Sequence, residues 1–369
     1  MLRHKSFEDG DGLRFFLKTT VPSDVYYSSA YYERPEEEMG KKVWLGADLI
    51  FDIDADHIPT PCAKVHDTWV CTNCKAAGKG VAPEKCPSCG EQKFEEKTWT
   101  CEVCLESAKA ETMKLIDILM KDFGFSSKEV SVGFSGHRGY HIHVETSEVR
   151  ELDPMARKEI VDYLVGIGLE TRFHGLEEQS EKRSRILAGP DLYDLGWRGR
   201  IARGTYEFLL TATREELEKA GLKKTAIDVI VKNRKMLIES WKEKGPWGKI
   251  KGIGAESWRK MAQYGVEKQS VKIDTVVTTD IHRLIRLTNT LHGKTGLKKI
   301  VVPLTGIEHF DPFRSAIAFK EGMVTVLVSD APKFRLGEET YGPYKEQKVE
   351  LPTAAALLLL CKSAAKVVE

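Results

Sequence analysis

No apolar run in the 369 residues approaches the roughly 20 needed to cross a bilayer, and Leu357–Leu360 falls far short. The first residues carry no apolar core of the signal-peptide kind, so a cytoplasmic setting without a membrane partner is expected. Net charge is nearly absent as well. Lys and Arg total 56 against 55 Asp and Glu, giving +1, so any basic surface for nucleic acid has to be local. No internal repeat and no long low-complexity linker interrupts the chain. With 41% hydrophobic and 30% charged residues, it reads as a charge-rich globular protein of one large domain or two to three smaller ones.

Cysteine is scarce except in one segment. Of eight, only Cys361 lies outside the stretch from Cys62 to Cys104. Three C-x-x-C pairs in a chain without a secretion signal point to metal rather than to disulfides. Cys71, Cys74, Cys86 and Cys89 have the spacing of a zinc ribbon, in which four thiolates close a tetrahedral shell. Cys101 and Cys104 need two further ligands, and the nearest unused candidates are Cys62 and His66. Both sites read as structural, because four protein ligands leave no open position. One or two Zn²⁺ ions are expected within an insertion over residues 59–104.

Just before that insertion, Leu49, Phe51 and Ile53 alternate with Asp52 and Asp54. A period of two puts the apolar residues on one face of a strand and both carboxylates on the other. Crowded carboxylates call for a cation, and oxygen ligands suit Mg²⁺ or Mn²⁺ better than Zn²⁺. Taken alone, Asp-x-Asp equally describes a strand that ends in acidic turn residues.

After Cys104 an amphipathic helix carries Leu105, Ala108, Thr112, Leu115, Ile116, Leu119 and Phe123, and Gly124 stops it. A strand from Glu129 to Phe134, the turn Ser135-Gly136-His137-Arg138-Gly139 and a strand from Tyr140 to Val144 form a hairpin. Ser135, Arg138 and His141 offer donors suited to phosphate oxygens, although a hairpin with a merely polar turn fits equally well. Residues 154–168 read as a helix, the charged run Glu177 to Arg185 as a solvated connection, and about 197–268 as helical. Strand character is expected to return over Val271–Val277. A helix through Leu287 follows in this reading, with His282 and Arg286 on one face. The cationic loop Leu291-His292-Gly293-Lys294-Thr295-Gly296 comes next, and a final apolar helix is expected from Thr353 to Ala365.

Several of these stretches, in this order, resemble the small catalytic subunit of archaeal and eukaryotic DNA primase, in its archaeal form. They are Tyr26–Tyr32, Phe51-Asp52-Ile53-Asp54, Ser135–His141, Asp274 followed by Ile281–Arg286, and His292-Gly293-Lys294-Thr295-Gly296, together with Cys101 and Cys104 running into a helix. The resemblance covers nearly the whole chain. It implies that Asp52, Asp54 and Asp274 form a carboxylate triad holding two Mg²⁺ or Mn²⁺ ions. It further implies that Ser135, Arg138, His141, Arg286 and His292 bind the triphosphate of the incoming nucleotide, with Lys294 as an added contact and Arg3 close by. The chain departs from the family pattern in two ways. Met1 stands directly against the Arg3 motif, where the family carries more chain, so a truncated N-terminus or a misassigned start is expected, and the Cys71–Cys89 ribbon is additional to the family's single zinc site.

The expected fold class is α+β. A mixed-sheet primase core drawn from 1–195 and 269–369 would carry the zinc-binding insertion at 59–104 and a helical subdomain at 196–268. The expected enzyme is a DNA-directed polymerase and nucleotidyltransferase of the primosome, making primers on single-stranded DNA from nucleoside triphosphates at replication initiation. A large primase subunit would complete a heterodimer. Two other functions fit the same residues: a repair-type primase-polymerase that extends or fills gaps, and a non-catalytic zinc-ribbon protein that binds nucleic acid.

Overall fold

The computed structural model describes residues 2–368 with the exception of 177, 182, 183, 244 and 249. It is a mixed α/β structure with several small sheets, and it divides into two compact units. The first comprises Met1–Met113, Ser126–Lys158 and Lys272–Glu369; the second comprises Lys114–Phe125 and Glu159–Val271. The interval 196–268 read as a helical subdomain falls inside the second unit.

At the centre of the first unit is a four-stranded antiparallel sheet. Its order is Ile300–Val302, Val130–Phe134, Gly139–Val144, Leu49–Asp54. The alternation at residues 49–54 sets the pairing. Leu49, Phe51 and Ile53 are completely buried, and each such side chain stabilises the fold by roughly 1.5–3 kcal/mol relative to exposure. A register slip of one residue would turn them to the Asp52 and Asp54 face, so the register is strongly fixed. It pairs Asp52 with His141 and Asp54 with Gly139. On the carboxylate face Ile50 packs with Val277 and Ile285, which draws two distant segments beside the acidic strand.

The sequence between 271 and 287 folds differently from the expectation. Residues 271–274 form no strand. Asp274 instead caps a short helix, Thr275–Thr279, by accepting from the Val276 amide at 3.0 Å. That helix does not continue to Leu287, because its β-branched residues favour helix weakly and it ends at Asp280. Leu284–Arg286 forms a strand antiparallel to Tyr26–Ser28, both segments being rich in residues that suit strands. His282 therefore leaves the Arg286 face and bonds the Tyr32 hydroxyl at 2.8 Å. The last helix, Thr353–Cys361, also stops early, and Ala365–Val367 pairs with Met323–Ala331. Of the charged run at 177–185, residues 177, 182 and 183 lie outside the described residues; Glu178–Glu181 pairs antiparallel with Ser184–Leu187.

The cysteine-rich segment builds its own three-stranded sheet from Ala77–Lys79, Thr68–Cys71 and Phe94–Lys97. The long helix Glu102–Lys121 follows, burying Leu105, Ala108, Thr112, Leu115, Ile118 and Leu119 as its periodicity requires.

The second unit is mainly helical: Gly196–Thr211, Lys224–Glu239 and Ala255–Gln269 enclose a core that includes Trp197, Trp241, Trp247 and Trp258. Gly204 and Gly265 let the first and third of these helices touch, since a Cβ on Gly204 would lie 2.8 Å from the Gly265 Cα. Within the same unit, buried Arg200 pairs with Asp122 at 2.6 Å and with Asp117 at 3.1 Å. Removing one partner of such a pair costs about 3–5 kcal/mol.

Candidate active site

Three carboxylates meet at the edge of the central sheet. Asp52 and Asp54 come from one strand face, and the Asp274 backbone amide donates to the Asp52 carbonyl at 2.9 Å. This single backbone bond joins positions more than two hundred residues apart. Asp54 Oδ1 accepts from the Asp56 amide at 3.0 Å, and Asp274 Oδ2 lies 4.0 Å from His57 Nε2. Burial, followed by the charges of Asp54 and Asp274, pushes the Asp52 carboxyl up to about 7. Asp54 is raised too, chiefly by burial, against the pull of Arg138, His57, Lys294 and Lys362.

Crowded, partly desolvated carboxylates of this kind fit hard divalent cations, which relieve their repulsion through oxygen ligands. The three aspartates are nevertheless spread more widely than a cage for one ion. Among the described residues, the two groups whose ligand atoms converge within 4.8 Å are three Cys with one His and four Cys.

Opposite the carboxylates the hairpin turn is organised by Ser135. Its hydroxyl oxygen accepts from the amides of His137 at 3.2 Å and Gly139 at 3.3 Å. Gly136 has a φ of +88°, and a Cβ there would lie 2.9 Å from the His292 Cβ. Only glycine lets the 292–297 loop approach so closely. The His137 and His292 rings consequently stack with centroids 4.9 Å apart.

Cations gather around this contact. Arg286 donates to Asp24 at 2.8 Å, to the Leu291 carbonyl at 2.9 Å and to the Tyr26 hydroxyl at 2.8 Å. Lys362 donates to the Thr98 carbonyl at 2.9 Å and lies 3.2 Å from His137 Nε2. Lys299 is buried with no hydrogen-bond partner for its ammonium among the described residues.

Burial, reinforced by neighbouring cations, lowers His292, Lys362, Lys299 and His137. His292 falls to about 4 through burial and then Arg286 and Lys294, and Lys362 to about 8 through burial and then Arg138 and Lys294. Lys299 falls to about 8, chiefly through burial. His137 is also lowered by burial and by Lys362. Such a cluster favours an anionic ligand, which would relieve it. His141 stands between the two halves, 3.5 Å from Asp52 Oδ1, and burial holds its imidazole neutral.

Ser135, His141, Arg286 and His292 thus share one region with the carboxylates, and Lys294 is exposed at its rim. Arg138 is a different case. It is 2% exposed, with its guanidinium on Asp67, the Trp99 carbonyl and Asp56. Arg3 is exposed in the irregular segment ahead of the helix Gly10–Thr20. Sequence reasoning missed His137, Lys299, Lys362, Asp24 and Tyr26. His137 sat in plain view inside the glycine turn, whereas Lys362 gave no local signal.

Both cysteine sets assemble as their spacing requires. Cys62 Sγ lies 3.3 Å from Cys104 Sγ, which lies 3.6 Å from Cys101 Sγ and 3.5 Å from His66 Nε2. In the other set Cys71 and Cys89 are 3.6 Å apart, as are Cys74 and Cys86. All eight cysteines are free, and these separations are close to the edge of about 3.8 Å that four sulfurs adopt around zinc at about 2.3 Å. Cys101 is pulled down to about 4 by the Cys104 thiol and His66, which favours the thiolate a metal needs. Both sets are suited to holding zinc.

Comparison with known proteins identifies the family. A family model described as DNA primase small subunit matches residues 87–305. The DNA primase small subunit PriS of Nitrosopumilus maritimus is 32% identical over 367 residues, spanning 100% of this chain and 88% of its own length. That of Methanothrix thermoacetophila is 34% identical over 388 residues, spanning 100% and 89%. That of Archaeoglobus fulgidus is 32% identical over 367 residues, spanning 98% and 85%. Matched along its length by such relatives, the chain belongs to the DNA primase small subunit family, the nucleotidyl-transferring subunit of an enzyme of DNA replication.

Proposed function

We propose that this chain performs template-directed primer synthesis on single-stranded DNA, joining nucleoside triphosphates with release of pyrophosphate. The carrying observation is the meeting, within one unit, of carboxylates that repel one another and cations that repel one another. A metal–nucleotide complex carries both charges needed to relieve them.

Asp52, Asp54 and Asp274 would hold two Mg²⁺ or Mn²⁺ ions. Bound there, the ions would supply Lewis acidity toward the attacking hydroxyl and the leaving pyrophosphate. The rest of the work is positioning and neutralisation of charge, as phosphoryl transfer requires. Arg286, His292 and Lys294 hold the triphosphate by hydrogen bonds, those from Arg and Lys charge-assisted. Arg3 adds a contact near the nucleotide. Ser135 shapes the turn that carries His137 and Arg138 and offers its hydroxyl to the triphosphate, and His141, neutral beside Asp52, serves as a donor without adding charge. Arg138 reaches a phosphate oxygen through Nη2 once that oxygen replaces the half-exposed Asp56 carboxylate.

The site of three Cys and one His and the site of four Cys hold zinc in a structural role, within an insertion at 59–104. The core is drawn from 1–195 and 269–369, with 196–268 as a helical subdomain. The partners are a DNA template, nucleotides and a large primase subunit that completes a heterodimer.

The test is an assay on single-stranded DNA without a primer, using labelled nucleotides and Mg²⁺ or Mn²⁺, with and without that subunit. Labelled oligomers starting at a new dinucleotide are expected. Extension of an added primer without any new starts would favour a gap-filling polymerase, and template binding without turnover would contradict the enzyme.

A further inference from the structure

His66 is held from both sides. Its Nε2 faces the Cys104 sulfur at 3.5 Å, while its Nδ1 lies 2.7 Å from Asp67 Oδ1. This is how a metal-ligating imidazole is commonly fixed, one nitrogen for the ion and the other on a carboxylate that sets tautomer and ring plane. Asp67 has further partners. Its Oδ1 accepts from the Trp99 amide at 2.9 Å, and both of its oxygens accept from Arg138 Nη1 at 3.1 Å. The same Nη1 donates to the Trp99 carbonyl at 3.0 Å, and Nη2 pairs with Asp56.

The partners differ in burial. The side chains of Asp67 and Arg138 are 7% and 3% exposed, whereas Asp56 is 40% exposed. Arg138 therefore has one fixed anion on the zinc side and one replaceable anion on the side toward Asp54. A buried carboxylate shared by a metal-site histidine and a pocket arginine cannot move for one without moving for the other.

We propose that Asp67 is a positioning residue that makes nucleotide binding depend on zinc at the Cys62–His66–Cys101–Cys104 site. With His66 on the ion, Asp67 is held, and it holds Arg138 with Nη2 at the Asp56 position, where a phosphate oxygen can replace the carboxylate. Loss of the ion frees His66 and loosens Asp67, and Arg138 loses its alignment. The inference rests on reading Arg138 as part of the nucleotide pocket. The Cys71–Cys74–Cys86–Cys89 site contains no histidine for Asp67 to hold and provides an internal comparison.

The test measures zinc per chain by elemental analysis, ATP affinity by equilibrium titration with Mg²⁺, and the KM and kcat of primer extension. Four full-length variants are needed. Asp67→Asn keeps an acceptor for His66 but removes the negative charge that faces Arg138. It should retain about two zinc ions and weaken ATP binding and raise KM about tenfold, with kcat changed less than about twofold. Cys101→Ser should drop to about one zinc and weaken ATP by a similar factor. Cys74→Ser should also drop to about one zinc but leave ATP affinity unchanged. Arg286→Ala tests the pocket itself.

If Arg286→Ala weakens ATP and Asp67→Asn does not, the coupling is overturned while the pocket stands. If neither weakens ATP, the pocket fails and the coupling with it. Equal weakening in Cys74→Ser and Cys101→Ser would overturn the specific route through Asp67. Should Cys101→Ser fail to fold, chelation of the remaining zinc from Cys74→Ser takes its place, and unchanged ATP affinity there would overturn the coupling.

Discussion

Along Leu49–Asp54, burial and the neighbouring carboxylates of Asp54 and Asp274 raise Asp52, while across the hairpin turn burial and neighbouring cations lower Lys362, Lys299 and His292. The two halves fail in opposite directions when alone. Asp52 is pushed up to about 7, so that it tends to keep its proton, and Lys362 is pushed down to about 8, so that it tends to lose one. The two halves compensate each other only in part: Asp54 stays raised despite Arg138, Lys294 and Lys362, His141 beside Asp52 is neutral, and Arg138 is already paired with Asp67 and Asp56. The contrast teaches what the site is built to receive. A ligand must bring positive charge to one side and negative charge to the other, and a divalent metal with a triphosphate does both.

Damage to the two halves should therefore appear in different kinetic constants. The largest effect is expected for Asp52→Asn, which should lower the rate of nucleotide addition at saturating nucleotide at least about 100-fold in a primer-extension assay. Arg286→Ala comes next. It should raise the nucleotide KM about tenfold with a smaller change in kcat, since one phosphate contact is lost and Asp24 is left without its partner.

Lys362→Met should have the smallest effect, a KM rise of about threefold at neutral pH. Its signature is the pH profile. A protonated Lys362 that helps hold phosphate would make wild-type nucleotide affinity weaken as pH rises through about 8, and the methionine variant should lack that step. The stability sign runs the other way. With a folded value near 8 against 10.5 in the unfolded chain, the unliganded protein binds fewer protons over that window, so this residue's contribution to stability increases with pH.

Local patterns were readable from the sequence where local geometry decides. The C-x-x-C spacings closed both cysteine sets, because ligands so close in sequence have little freedom. Alternation at 49–54 put Asp52 and Asp54 on one face, because a buried strand leaves no other register. The segment after Asp274 was misread for the same physical reason that makes it useful. Its β-branched valines and threonines look like a strand, but the Asp274 side chain caps a five-residue helix and its amide docks on Asp52. Lys362 and Asp67 were not readable. Lys362 meets His137 from 225 positions away, and Asp67 looks like any acidic neighbour of a histidine until Arg138 folds against it. Long-range placement, which no spacing encodes, made both part of the site.

The most direct measurement sets Asp52→Asn beside Arg286→Ala in one primer-extension experiment, with kcat and KM determined for each against wild type. The two-halves account predicts that Asp52→Asn loses mainly kcat and Arg286→Ala mainly KM. Extension by Asp52→Asn at the wild-type rate would contradict it.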